Sequence, residues 1–541
     1  MALIVVDTTI VNVIVPSVIE DLDATSAQAQ WIQESYAIVF AALLLLTGRL
    51  ADIFGARRIF VWGVVVFGAT SVLAGLAPSS GLLILARFLQ GAGAAMLLPT
   101  SLSLLKATFT GKARGQAFAV WGSTIGAAAA LGPLLGGWLA EHVSWRWAFG
   151  INVPLSVLVG VGVLLYIAPS LRTRGRIDAL GALLSATGLA LLAFGLVEGR
   201  TYGWITTVHP LKAPGLTWDS GPSPVLVALA LSAVTLFAFV RRQITLGRGG
   251  DASRVLMDVS LFSIPSFRSG NIATTIIGIG EFGIIAVLPL WLQFTLGYSA
   301  LQAGLALVPV AIGSFVASGA SFGLAAKVAP LGQLRVGLAL EVIGLAGIAL
   351  TATPDSSWWA VSAVLFLYGI GVGFATAQVT NVVLNDIPEQ SSGQASGVQS
   401  AFRQLGSALG IAALTTVFFS SLSTNLNDRL AGMDRPAGQA DQLSGAVTDS
   451  RRGGHRHPGR EPADLCCRGR GTRRHDRRCR PRRIHRGGLR PARTHRLLPH
   501  PFGPGPGRGR RGIRSRRGIR GGRRTRLIGG QATRGSLTRP Y

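Results

Sequence analysis

Thirteen long apolar runs punctuate this chain, and they limit its fold more than any other feature. A helix needs ~20 mainly apolar residues to cross the hydrocarbon core of a bilayer, and inside that core every peptide group must be satisfied within the protein. Runs of this kind fall at about 1–19, 31–50, 59–76, 81–105, 116–139, 147–168, 179–197, 224–240, 271–295, 303–325, 336–351, 358–380 and 398–419. Charged residues make up 14% of the chain, against about 25% in soluble domains. The expected class is therefore an all-α, multi-pass membrane protein whose first partner is the lipid bilayer.

The formal charge of +28 would suit a nucleic-acid binder, but its distribution does not. Twenty-nine arginines against three acids put residues 451–541 at +26, while residues 1–450, with 23 basic and 21 acidic groups, stand at +2. Cys466, Cys467 and Cys479 all lie in that tail, with a spacing that matches no zinc site, so neither metal nor disulfide is expected. No cleavable signal peptide is evident. Because no basic flank precedes the first run, its helix is expected to extend upstream of Met1.

Counting loops from a cytoplasmic N-terminus, the even-numbered side carries seventeen Lys and Arg, Arg403 counted among them, and the odd side three, Arg146, Arg200 and Lys212. The positive-inside bias then puts the N-terminus in the cytoplasm of a cell whose plasma membrane holds the chain. The loop GRLADIFGARRIF (48–60) is a cytoplasmic turn on this count, which accounts for its arginines and leaves Asp52, Gly48 and Gly55 unexplained. Arg87 is the only basic residue read inside a span. At membrane depth a cation costs at least ~2.5 kcal/mol and needs an interior partner, unless Arg87 snorkels to the outer interface. Four acids lie in or beside spans: Asp7, Glu34, Glu281 and Glu341. Burial disfavours a charged carboxylate, so such groups can take and release protons near neutral pH. The blander alternatives are a packing hydrogen bond from Asp7 to Thr8 or Asn12, helix capping by Glu34, and interfacial placement or pairing with Arg335 for Glu281 and Glu341.

Several of these stretches, taken in order, resemble one family. The loop at 48–60 resembles the signature loop of the major facilitator superfamily. VVDTTIVNVIVP (5–16) resembles the LDxTIVNVALP motif of its fourteen-span drug:proton antiporter branch, with Val6 in place of leucine. LARFLQGAGAAMLLP (85–99) resembles the RxxQG motif, and GSTIGAAAALGPLLGGWL (122–139) the antiporter motif ending in GPxxGG. WRWAFGINVP (145–154) and ASGVQSAFRQLGSALGIA (395–412) resemble that branch's sixth and penultimate helices.

The resemblance implies two six-helix halves, 1–168 and 255–448, the second read with five spans, and two inserted spans within 169–254. It further implies a gate latch at Gly48, Asp52, Gly55, Arg57 and Arg58, with Asp52 pairing with Arg58 or a neighbouring helix end. Proton coupling would fall to Asp7 and Arg87, with Glu34, Glu281 and Glu341 as further acids. A tight, leak-resistant helix interface is implied at Gly126, Gly132, Pro133, Gly136 and Gly137.

The expected function is secondary export of a small amphipathic drug or metabolite in exchange for protons, by a monomer, without cofactor, metal or nucleic acid. No phosphate-binding loop of the GxxxxGK[ST] type occurs, and His142 and His209, the histidines before the tail, form no nucleophile–base pairing, so an enzyme is not expected. The alternatives are an importer of a small organic solute on the same fold and a membrane-anchored protein whose basic tail binds nucleic acid or acidic lipid. Residues 449–541, rich in Arg and Gly where a fourteenth span is due, are expected to be an out-of-frame reading with that span lost.

Overall fold

A computed structural model describes residues 1–431, apart from 174, 214–215, 250–251, 299, 325–326 and 354–356. The expected fourteenth span, the three cysteines and the basic tail lie outside the described residues.

The first group of helices comprises α1 (Ala2–Leu22), α2 (Ser26–Phe54), α3 (Ala56–Gly75), α4 (Ser80–Thr108), α5 (Gly111–His142), α6 (Trp147–Gly150) and α7 (Asn152–Tyr166). Next come α8 (Ala179–Tyr202) and α9 (Pro224–Arg248), joined through an antiparallel hairpin of β1 (Leu211–Ala213) and β2 (Leu216–Trp218). The last group is α10 (Pro265–Thr295), α11 (Ala300–Ala306), α12 (Val308–Leu324), α13 (Pro330–Thr351), α14 (Trp358–Leu384) and α15 (Ser392–Ala431). Among the described residues, 12 segments are long and apolar enough to cross a bilayer. The expected fifth span lies within the 32-residue α5.

Local sequence explains several boundaries. Thr25 starts α2 through a reciprocal capping box with Gln28. Ser223 caps α9, with Pro224 in the first turn, where its missing N–H costs nothing. The expected sixth and tenth spans are each interrupted, at Ile151 and Leu307, shortly before Pro154 and Pro309, which cannot donate to the helix ladder. Large side chains such as Leu158, Phe237, Phe315 and Ile343 point outward, as a lipid-facing surface requires.

Within the first group α4 packs on α2 and α3, and α1 on α5; in the last, α14 packs on α12 and α13, and α10 on α15. Contacts between the groups run from α5 to α12 and α14 and from α15 to α2 and α4. The α8–α9 pair docks through α8 on both α2 and α15. The end at which α2 passes into α3 is called the basic face, because most Lys and Arg of the loops lie there; the opposite end is the far face.

Candidate functional site

Asp7, near the start of α1, is fully buried, and Arg87 of α4 is 1% exposed. Arg87 Nη1 lies 2.6 Å from Asp7 Oδ2. Asp7 Oδ1 accepts from Gln90 Nε2 at 2.9 Å and from Asn152 Nδ2 at 2.7 Å. Gln90 also donates to Ser71 and accepts from Arg87, and the guanidinium sits 4.2 Å above the centroid of the Tyr36 ring. The carboxylate of α1 thus takes its donors from α4 and α7, and α2 and α3 back those donors through Tyr36 and Ser71. Arg87 points into the bundle and does not snorkel, and Thr8 donates back to Ile4 rather than to Asp7. The interruption at Ile151 puts Asn152 at the head of α7, the position from which its amide meets Asp7.

The expectation that Arg87 is the only basic residue within a span is corrected by α15. Arg403, counted with the loops from sequence, is buried inside that helix and lies 3.1 Å from Glu281 of α10. Thr376 donates to the same carboxylate at 3.4 Å. Glu341 of α13 is buried beside this pair, and its Oε1 has no hydrogen-bond partner. The alternative of pairing with Arg335 is not met, because that side chain is exposed. Interfacial placement does not suit either acid, since Glu281 lies near the middle of α10 and Glu341 near the middle of α13. Glu281, Ser314 and Tyr368 are the polar lining of an apolar cavity of about 610 Å³, part of it open, walled by Ile125 of α5 and by α10, α12 and α14. The buried Tyr368 hydroxyl has no partner.

At the basic face the loop at 48–60 joins the two groups. Gly55 has φ +93°, a left-handed conformation glycine adopts without strain, and it turns α2 into α3. Gly48 faces the Gly393 carbonyl and Gly397 Cα so closely that a Cβ would collide with backbone. This contact lets Asp52 reach the start of α15, where its carboxylate accepts from the backbone N–H groups of Gly393 at 2.6 Å and Gln394 at 2.8 Å. Those N–H groups have no partner inside the helix, and the helix dipole adds positive charge there. Of the two expected partners, the helix end is the one Asp52 takes; Arg58 is exposed. The N–H of Arg57 meets Ser170 Oγ at 3.0 Å, and its guanidinium reaches the Leu164 carbonyl. Lys106 and Arg114 bridge to Ile387 and Asn385 on the same face.

In α5, Gly132 and Gly136 press against Thr9 and Ile10 of α1, and Gly122 against Ala377 of α14. Gly137 lies in the same helix; the surroundings of Gly126 and Pro133 are outside the described residues. Glu34 of α2 is buried and shares the amide of Gln30 with Glu198 of α8. Residues that sequence reasoning did not single out are Ser71, Gln90, Asn152, Glu198, Gln394 and Arg403. Among the described residues no group of three His, Cys, Asp or Glu is placed to hold a metal ion.

The family model of the Major Facilitator Superfamily matches residues 1–411. The chain belongs to the major facilitator superfamily. Its relatives include proteins named for antibiotic transport, export or resistance and for multidrug efflux. A probable actinorhodin transporter of Streptomyces coelicolor is 34% identical over 429 residues, covering 77% of this chain and 70% of that protein. A puromycin resistance protein of Streptomyces alboniger is 34% identical over 79% of this chain and 81% of its own length. The multidrug efflux pump LfrA of Mycolicibacterium smegmatis is 31% identical over 83% of each chain. The solved human organic anion transporter MFSD10 shares the fold, with a TM-score of 0.54 at 14% identity over 76% of this chain and 90% of that one. This major facilitator chain is thus a multi-span membrane transporter.

Proposed function

We propose that this major facilitator protein exports amphipathic drugs or metabolites across the plasma membrane in exchange for protons, by alternating access. The observation that carries the reading is the buried acid–arginine contact on the first helix of each group, Asp7–Arg87 and Glu281–Arg403, the second of which borders an apolar cavity. A carboxylate clasped by an arginine in a low-dielectric interior has two states. Ionised, it holds its partner; protonated, it releases it. The names of the relatives support drugs and antibiotics as the substrate class.

In this reading residues 1–168 and 255–448 form the two halves, and 169–254 the insert. The Lys and Arg excess makes the basic face cytoplasmic, so the contacts around Asp52 close the inner entrance in this conformation. A proton reaching Asp7, Glu281 or Glu341 from outside frees the clasped arginine, the Asp52 latch parts, and substrate enters from the cytoplasm or inner leaflet. Glycines 48, 122, 132 and 136 keep the helix contacts tight enough to prevent a leak.

Everted vesicles test this. Drug-dependent proton efflux should vanish in Asp7→Asn, and Arg87→Ala should abolish transport while the protein remains inserted. Unchanged coupling in the first variant would remove Asp7 from the mechanism, and normal transport in the second would remove Arg87.

A further inference from the structure

Near the far face, the first turns of α2 and the last turns of α8 bring two acids together. Gln30 Nε2 donates to Glu34 Oε1 at 2.8 Å and to Glu198 Oε2 at 2.7 Å, and it lies 3.2 Å from Thr201 Oγ1. Glu198 is fully buried and Glu34 is 8% exposed. Glu34 Oε2 and Glu198 Oε1 are both buried without a hydrogen-bond partner. One amide thus serves two carboxyl groups, and each keeps an unmatched oxygen away from water.

Among the described residues neither Glu34 nor Glu198 makes an ion pair, and the charged and titratable groups around them have other contacts. The Arg200 guanidinium of α8 sits 3.8 Å above the centroid of the Phe419 ring of α15. Tyr202 stacks on Phe194, and the His209 ring meets the Thr201 carbonyl at 3.0 Å. On the helices packed against α2, Asp7 and Arg87 hold each other, and Arg403 holds Glu281. Two carboxylates this close in a low-dielectric setting cannot both stay ionised.

We propose that Glu34 and Glu198 form a proton-binding site in which one proton is held between the two carboxyl groups, the O–H of one donating to the other. The site fastens the inserted α8 to α2. Loss of the proton sets two like charges face to face and drives α8 outward. Because α8 also packs on α15, that movement reaches both groups of helices. Exchange of this proton with the outside during transport rests on the export reading above; its presence near neutral pH does not.

Infrared spectroscopy of the full chain in lipid nanodiscs, in H₂O and in D₂O, tests the site. The expected result is a deuterium-sensitive protonated-carboxyl component, lowered in frequency by a carboxyl-to-carboxylate hydrogen bond, that is lost in Glu34→Gln and also in Glu198→Gln, because the acid that remains is kept neutral by burial and has no carboxylate to donate to. A component that persists unshifted in either variant, or is missing in the native chain, overturns the proposal. Both substitutions are isosteric and each decides alone. Should neither variant insert, ¹³C-labelled glutamate in the native chain must shift the band, and an unshifted band overturns it. In proteoliposomes the dependence of export on outside pH should be lost in Glu198→Gln. A native profile in a variant lacking the band overturns the link to transport, whereas native export without proton movement overturns the export reading and leaves the infrared result standing.

Discussion

In the first group of helices, the carboxylate of Asp7 accepts from Arg87, Gln90 and Asn152 at 2.6, 2.9 and 2.7 Å. In the last group Glu281 meets Arg403 at 3.1 and 3.3 Å and Thr376 at 3.4 Å, with Glu341 beside it short of a partner. The same chemical pair is thus locked in one group and loose in the other. Both Asp7 oxygens are engaged by short bonds, although Asn152 Oδ1 and the Tyr36 hydroxyl beside them have no hydrogen-bond partner. A network held by more and shorter bonds keeps its geometry, whereas one held by fewer and longer bonds keeps groups available for a new partner. The loose pair is also the one that borders the cavity. On the export reading proposed above, the difference makes the first pair the harder one to part and suits the last group to meeting substrate.

The comparison predicts unequal damage. Arg87→Leu strands the buried Asp7 charge and should cost about 3–5 kcal/mol, with part of the loss recovered in Asp7→Asn/Arg87→Leu. Denaturation of the purified variants measures both, and a cost under ~1 kcal/mol would mean that the first pair is not locked. Arg403→Leu removes longer bonds from acids that can take up protons instead. About 1–3 kcal/mol is expected, with transport falling further than stability. Equal costs for the two arginines would break the comparison.

How much of this was legible follows from what each residue looks like in one dimension. Asp7 and Arg87 stand out because a charge inside an apolar run has few innocent explanations. Gln90 and Asn152 lie within motifs quoted above, but neutral amides carry no such flag, and only the fold brings them to one carboxylate. Arg403 was lost to the loop count although it lies within the expected span 398–419. Glu198 was lost because the apolar run was ended at 197, whereas α8 continues to Tyr202 and tertiary contact with α2 buries the acid. The start of α15 at Ser392, six residues before the expected 398, is what puts a helix N-terminus against Asp52. Hydrophobic runs mark where a helix must be apolar, not where its backbone ladder begins.

The latch between the groups should be weaker than either buried pair, since it joins a carboxylate to a helix end. Asp52→Asn keeps one acceptor and loses the charge, for about 1 kcal/mol. That is roughly a fivefold shift between closed and open at the basic face. Ser103, buried beside Asp52 in a small gap of that face, reports on it. With Cys466, Cys467 and Cys479 replaced by serine, the maleimide labelling rate of Ser103→Cys should rise by about that factor. An unchanged rate would show that the Gly48–Gly393 contact, not charge, keeps the face closed.

The smallest effect belongs to the insert, where Asp178 meets Arg242 at 2.7 Å just before α8 begins. Burial works to raise the Asp178 carboxyl, but the Arg242 guanidinium, the Gly181 N–H and the Gln243 amide outweigh it and hold the carboxyl below its usual value. A lowered folded value means that the pair stabilises the native state in full above the unfolded value of about 3.9, and that the contribution drains away as pH falls through the folded value. Arg242 is about one-third exposed, so screening limits the contribution to no more than about 1 kcal/mol. Asp178→Asn should therefore lower the unfolding midpoint slightly at neutral pH, and the gap to the native chain should close as acid protonates Asp178. A gap that stays constant down to the lowest pH at which the fold survives would mean that the contact works by shape and hydrogen bonding alone.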